Sequence, residues 1–266
     1  MTVKSRAKKV LCERPKSRMD VDSPLCPGCQ HGVIGRILCE VIDELEIQGK
    51  TICIAGVGCH AMTLFTTNID FVQALHGRAP GVGTGVKRAV GREKIVFTVQ
   101  GDGDLASIGI GDVIHAANRG EKLTIIFCNN SAYGTTGGQM APTTLLGQVT
   151  TTTPDGRRYE DAGFPVHIAE LMATFPGVAY SARCALTSLA NYNKTKKAVK
   201  TAFKKQMDGI GLGIVEILSA CPPALKLSPT KAVEWMENYM MAEYPLGEFK
   251  NVDTVTPKYI LKGEGA

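Results

Sequence analysis

Four runs of apolar, β-branched-rich residues punctuate the chain: TICIAGV (51–57), KIVFTV (94–99), LTIIFC (123–128) and LGIVEIL (212–218). They read as buried strands. Between them the apolar positions change period. In HGVIGRILCEVIDEL, Val33, Ile34, Ile37, Leu38, Val41 and Leu45 recur at helical spacing, and IGIGDVIHAANRG reads as a second helix closed by Gly120. NKTKKAVKTAFKKQ predicts a third, with Ala198, Val199, Ala202 and Phe203 turned inward. Strands alternating with helices predict an α/β fold with a doubly wound, mostly parallel sheet, whose ligands sit beyond the carboxyl ends of the strands. The stretch from Thr135 to Phe164, rich in Gly, Thr and Pro, is the one long irregular segment, and such segments are often functional.

Composition narrows the classes. With 266 residues and 44% hydrophobic content the chain can bury a full core. A net charge of +5 is modest, and the basic run is the solvated face of the third helix, so nucleic-acid binding is not expected. No apolar run approaches the length of about 18 residues that a membrane span needs, and the first 25 residues lack the apolar stretch of a secretory signal. A cytoplasmic location, away from membranes, is the expectation. Nine cysteines in a reducing compartment call for metal binding or packing rather than disulfides. Cys39, Cys53 and Cys128 fall inside apolar patterns and read as core residues, while Cys12 and Cys184 carry no signal.

The candidate chemistry lies where strands end. GDGD (101–104) follows KIVFTV and precedes a helix, and CNNSAYG follows LTIIFC, so both turns project from one side of the sheet. Asp102 offers a carboxylate oxygen and Asn130 an amide oxygen, hard ligands suited to a Mg²⁺ that also holds a diphosphate, while Gly101 and Gly103 allow close backbone approach. Cys26 and Cys29 form a CxxC, and Cys59 and Cys221 each follow a strand, so four thiolates can meet at one edge of the sheet. Spacing alone leaves zinc and iron–sulfur open. His31, two residues after the CxxC, and His60, after Cys59, lie at the same edge and are candidate catalytic residues. His76 is similar, with Arg78 an anion partner; His115 and His167 read as structural.

GDG followed by NN resembles the metal and diphosphate motif of thiamine diphosphate enzymes. Together with CPGCQHG, GVGCH, HGRAPGVGTGVKRA, NNSAYGTTGGQMAPTT and CPP, the chain resembles the β subunits of 2-oxoacid:ferredoxin oxidoreductases, most of all those assigned to 2-oxoisovalerate or 2-oxoglutarate. The resemblance implies residues 26–225 as a thiamine diphosphate-binding domain carrying cluster ligands, residues 1–25 as an extension, and residues 226–266 as a C-terminal helix and tail. It implies Asp102, Asn130 and the carbonyl of Ala132 as Mg²⁺ ligands. Cys59, His60, His76, Gly77, Arg78, Gly101, Gly103, Asp104, Gly134 and Thr135 would touch the cofactor, Gln139 would lie by the substrate, and Cys26, Cys29, Cys59 and Cys221 would hold a [4Fe–4S] cluster. The implied reaction is oxidative decarboxylation of a 2-oxoacid to acyl-CoA and CO₂ with electrons passed to ferredoxin.

One departure bears on the substrate. Some family members acting on 2-oxoglutarate have a lysine where this chain has Gly137, so the uncharged TTGGQ loop favours a branched-chain 2-oxoacid unless Arg78 or another subunit supplies the charge. Two other classes compete: a thiamine enzyme without redox output, and an electron-transfer or scaffold subunit that keeps only the fold. Thiamine activation needs a carboxylate on the pyrimidine ring. No strand here ends in a glutamate at the candidate edge, since Glu93 precedes its strand and Glu216 lies within one. An α subunit is therefore expected to supply it, with γ and δ subunits completing the complex.

Overall fold

The computed structural model describes residues 13–257. The four anticipated strands form as β1 (Thr51–Ala55), β3 (Ile95–Gly101), β4 (Thr124–Asn129) and β6 (Leu212–Leu218). Three more, β2 (Asp70–Gln73), β5 (Val178–Ala185) and β7 (Gly247–Asn251), were not anticipated. Together they make a seven-stranded sheet in the order β2-β1-β3-β4-β6-β5-β7, parallel except where β7 pairs antiparallel with β5. The omissions have physical reasons. All four residues of β2 are exposed at the edge of the sheet, and β7 is short and polar. β5 is wholly buried, but Ser181 and Arg183 interrupt its apolar run.

Helices cover both faces, as the continuous apolar strands require. Along β4 the side chains alternate. Ile126 and Cys128 join the cluster formed with α1 (His31–Glu44) and the helix Leu189–Met207, whereas Ile125 and Phe127 join Val113, Ala116, Ile168 and Met172 on the other face. A helix not foreseen in the HGRAPGVGTGVKRA stretch, α2 (Ala79–Val90), packs there beside α3 (Ile110–Arg119). As anticipated, α3 ends on Gly120, which takes the left-handed conformation at φ 61°. Cys39, Cys53 and Cys128 are fully buried in the core, and Cys184 is nearly so at the end of β5. Cys12 lies outside the described residues. Among the described residues no helix is long and apolar enough to cross a membrane.

The segment from Thr135 to Phe164 contains one short helix, Tyr159–Ala162, and is otherwise irregular. Its order comes from a buried cation. Arg157 donates to the carbonyls of Pro142 at 3.0 Å, Ala162 at 3.1 Å, Gly163 at 3.1 Å and Phe164 at 2.9 Å, replacing the ladder that the loop lacks. Beyond it, residues 229–243 continue helically and place Trp235, Met236, Met240 and Tyr244 against Leu145 and Leu218.

Phe97 on β3 is fully buried and meets Phe203 of the long helix edge-on, with ring centroids 5.3 Å apart. Phe97→Ala should cost about 3–5 kcal/mol, read as a lower urea midpoint with an unchanged m-value. A loss below about 1 kcal/mol would show that this contact does not join sheet and helix as described.

Candidate functional site

Strand order creates the site. From β1 the chain steps outward to β2, then returns past β1 to β3, so the loops leaving β1 and β3 diverge and open a crevice at their carboxyl ends. A cavity of about 350 Å³ occupies it. Val57 to His60 line it from the end of β1, Gly101 to Asp104 from β3, and Asn130 with Ala132 to Thr136 from β4; His31 and His76 complete the lining. The structure thus gathers twelve of the residues singled out in the sequence: His31, Cys59, His60, His76, Gly101, Asp102, Gly103, Asp104, Asn130, Ala132, Gly134 and Thr135. Val57, Gly58, Tyr133 and Thr136 were not foreseen, though Tyr133 lies between two residues that were. Gly77, Arg78 and Gln139 are not in the lining. Arg78 reaches Asp112 at 2.6 Å and the carbonyl of Ile108 at 2.9 Å, and Gln139 folds back on Thr136.

Asp102 is 3% exposed. Its Oδ1 accepts the Gly103 N–H at 2.9 Å, and its Oδ2 accepts the Ala132 N–H and the Thr143 hydroxyl, each at 2.9 Å. Burial pushes its carboxyl up to about 7, against the pull of these hydrogen bonds. Among the described residues no cation pairs with it, so a bound cation would hold it ionised. Thr143, invisible as a signal in the sequence, is the residue that aims it. The Asn130 Oδ1 is buried without a hydrogen-bond partner, as are both ring nitrogens of His31 and the Nε2 of His60. Orphaned buried polar atoms are rare in folded proteins, and four on residues of one cavity mark a site that a ligand completes. Burial lowers His31 to about 4 and His60 well below the usual imidazole range, with His31 and His76 nearby adding to the effect on His60. Both rings are therefore neutral at pH 7.

The glycines of the GDG turn make room for rings. A Cβ on Gly101 would lie 2.8 Å from the His60 Nδ1, and one on Gly103 would lie 2.0 Å from the Tyr133 ring. Asp104, in contrast to Asp102, has its oxygens taken by the chain. Oδ1 accepts from Gly77 N–H at 2.8 Å and Val57 N–H at 3.1 Å and lies 2.8 Å from the His76 Nδ1, while Oδ2 accepts from Gln100 at 2.8 Å. It braces three walls of the cavity.

The four candidate thiols come to one place beside it. The CPGC turn closes with the Cys29 N–H donating to the Cys26 carbonyl at 3.0 Å. Cys26, Cys59 and Cys221 all lie near enough to influence Cys29, whose thiol is pushed up to about 12, first of all by burial. Cys59 and Cys221 flank Gly134: their sulfurs lie 3.7 and 3.6 Å from where its Cβ would be. Cys39, Cys53 and Cys128 take no part. Among the described residues no three His, Cys, Asp or Glu side chains draw close enough to grip a single metal ion.

Asp104→Asn would set an amide against donors on every side. It should cost about 1–3 kcal/mol in thermal or urea unfolding and loosen the cavity walls, so ligand affinity at this cavity should fall with it. Unchanged stability would mean the four contacts do not brace the loops.

The comparisons agree with this geometry. The C-terminal TPP-binding domain of thiamine pyrophosphate enzymes matches residues 56–211. The ketoisovalerate oxidoreductase subunit VorA of Methanothermobacter marburgensis is 43% identical over 235 residues, 88% of this chain and 49% of that protein. The chain thus spans about half the length of that relative. The 2-oxoglutarate synthase subunit KorB of Archaeoglobus fulgidus is 33% identical over 215 residues, 80% of this chain and 76% of its own. Among solved structures, the 2-oxoglutarate:ferredoxin oxidoreductase of Magnetococcus marinus, with 2-oxoglutarate, coenzyme A and succinyl-CoA bound, superimposes with a TM-score of 0.72 at 26% identity, covering 93% of this chain and 88% of that one. The chain belongs to the thiamine pyrophosphate enzymes through their C-terminal TPP-binding domain and, among them, to the subunits of 2-oxoacid:ferredoxin oxidoreductases that include VorA and KorB.

Proposed function

We propose that residues 26–225 hold the diphosphate half of thiamine diphosphate through Mg²⁺ and carry a [4Fe–4S] cluster beside it, as the β subunit of a CoA-acylating 2-oxoacid:ferredoxin oxidoreductase. The observation that carries this reading is the unpartnered Asn130 Oδ1 facing the same cavity as the buried, uncompensated Asp102. A carboxylate, an amide oxygen and the Ala132 carbonyl form a hard donor set of the kind Mg²⁺ takes. Cys26, Cys29, Cys59 and Cys221 are the cluster ligands: they are free thiols that converge beside the cavity, and a thiamine site next to them gives an electron carrier a role, which favours iron–sulfur over zinc. When bound, thiamine diphosphate supplies the carbanion chemistry that releases CO₂ from a 2-oxoacid, and the cluster accepts the electrons for ferredoxin.

The chain's own residues do the rest. Cys59, Gly103 to Asp104, Gly134 to Thr135 and the His76–Arg78 loop surround the cofactor. Neutral His31 and His60 are catalytic residues that offer a donor or acceptor to substrate without adding charge, and Gln139, outside the lining, is the third catalytic candidate. The TTGGQ loop presents no cation, and the 43% identity to a ketoisovalerate oxidoreductase subunit points the same way. A branched-chain 2-oxoacid such as 2-oxoisovalerate is therefore the first substrate. The likeness to 2-oxoglutarate enzymes favours 2-oxoglutarate as the second. Among the described residues no glutamate lines the cavity, and Glu216 is engaged within the sheet. An α subunit supplies that carboxylate, with γ and δ subunits, ferredoxin and CoA as further partners, in a cytoplasm where thiols stay reduced.

Four outcomes test the proposal, three in the anaerobically purified complex and one on the chain alone. Asp102→Ala should abolish retention of thiamine diphosphate while leaving the far-ultraviolet dichroism intact; undiminished binding sinks the metal assignment. Cys221→Ser should bleach the iron–sulfur absorbance and Cys39→Ser should not, and the reverse pattern refutes the ligand set. The chain alone should turn over no 2-oxoacid with a viologen acceptor, and a panel of 2-oxoacids should rank branched-chain substrates above 2-oxoglutarate.

A further inference from the structure

Asn129, the first asparagine of the NN pair, does not line the cavity, and Glu216 lies buried in the middle of the sheet. We infer that Arg183, Glu216 and Asn129 form a polar relay that fixes the Asn130–Ala132 turn in its ligand-binding shape, making them positioning residues for the metal–diphosphate site. The inference rests on the reading of Asp102, Asn130 and Ala132 as that site.

The turn needs holding. Ser131, between Asn130 and Ala132, has φ 58°, a left-handed conformation that side-chain-bearing residues seldom adopt. Its N–H donates to the Asn129 Oδ1 at 3.1 Å, and its carbonyl accepts from the Thr144 hydroxyl at 2.6 Å and Gln148 at 3.2 Å. The first of these works only if the Asn129 amide presents oxygen to Ser131. Its Nδ2 donates to the Glu216 Oε1 at 2.7 Å, while the Glu216 Oε2 accepts from the Arg183 Nε at 2.9 Å and the Ala169 N–H at 3.3 Å. A guanidinium can only donate and a carboxylate can only accept. Arg183 and Glu216 therefore dictate which way the Asn129 amide faces, and with it whether Ser131 is anchored. A second arm starts at the same guanidinium. It lies over the Tyr244 ring, 5.1 Å from the centroid; the Tyr244 hydroxyl donates to the Thr143 carbonyl at 2.7 Å, and Thr143 donates to Asp102. One buried ion pair thus reaches both Asp102 and the turn that carries Asn130.

The polarity argument gives a rescue experiment. In Glu216→Gln the new amide must keep its oxygen toward Arg183 and Ala169, so its NH₂ meets Asn129, the Asn129 amide turns over, and Ser131 loses its acceptor. Asn129→Asp restores an acceptor for Ser131 but sets two carboxylates against each other. The double variant rebuilds an alternating donor and acceptor chain from Arg183 to Ser131. Thiamine diphosphate binding is titrated with Mg²⁺ in the assembled, metal-stripped enzyme, with melting temperature measured in parallel. Each single variant should weaken the apparent Mg²⁺ affinity about 10–100-fold, and the double variant should recover most of it. Asn129→Ala, which leaves the Arg183–Glu216 pair intact, should show the same loss and serves if Glu216→Gln does not fold. Adding Ser131→Gly to Asn129→Ala should restore affinity, because glycine takes a positive φ without an anchor. Folded single variants with unchanged Mg²⁺ affinity would overturn the relay, as would a double variant that regains its melting temperature but not its affinity. Failure of the underlying site reading looks different: the unmodified enzyme would hold thiamine diphosphate indifferently to chelator and to Asp102→Ala, and the inference would fall with it.

Discussion

A buried carboxylate at the carboxyl end of β3 governs this structure. Asp102 leaves β3 with almost no access to solvent, and a charge in that position is tolerated only with donors around it. Two of those donors, Ala132 and Thr143, come from the segment that follows β4, so the carboxylate ties the exits of neighbouring strands together. The chain's own donors do not bring its affinity for protons back to that of an ordinary aspartate. A ligand carrying positive charge would offset that imbalance. The site is thus built to be completed, and the orphaned atoms of Asn130, His31 and His60 belong to the same incompleteness.

The two aspartates of GDGD divide the labour. Asp104, two residues on, has all its neighbours supplied by the chain and so contributes rigidity. This difference was not legible in the sequence, where both aspartates read as part of one motif. It arises because Gln100 and the loop ending in Gly77 approach Asp104 from elements distant in sequence, and no local pattern encodes their meeting. The architecture was far more legible. Continuous apolar runs identified four of the central strands, because strands buried on both faces must be apolar throughout. The edge strands β2 and β7 lack that requirement, and β5 escaped because Arg183 sits in its middle, acceptable only with Glu216 and Glu170 beside it.

The cavity lining was readable for a related reason. A parallel sheet sends every strand exit to one edge, so residues that follow apolar runs are brought together without any further folding information. Residues of the HGR stretch and Gln139 follow no such rule. They lie on loops whose path depends on tertiary contacts: Arg78 is drawn to Asp112, and Gln139 to its own loop. Thr143, Thr144 and Gln148 were missed because a threonine-rich loop gives no period to read. Their hydroxyl and amide groups nevertheless hold the turn that matters most.

The same economy explains why the thiols and the cavity adjoin. Cys59 and His60 are consecutive, so the short segment after β1 turns a sulfur toward the thiol group and an imidazole toward the cavity. Gly134 and Thr135 repeat the device after β4: Gly134 leaves space for the sulfurs of Cys59 and Cys221, and the Thr135 hydroxyl lies 2.8 Å from the Cys59 sulfur while also lining the cavity. Two loops therefore serve both sites at once, and neither can shift without moving the other.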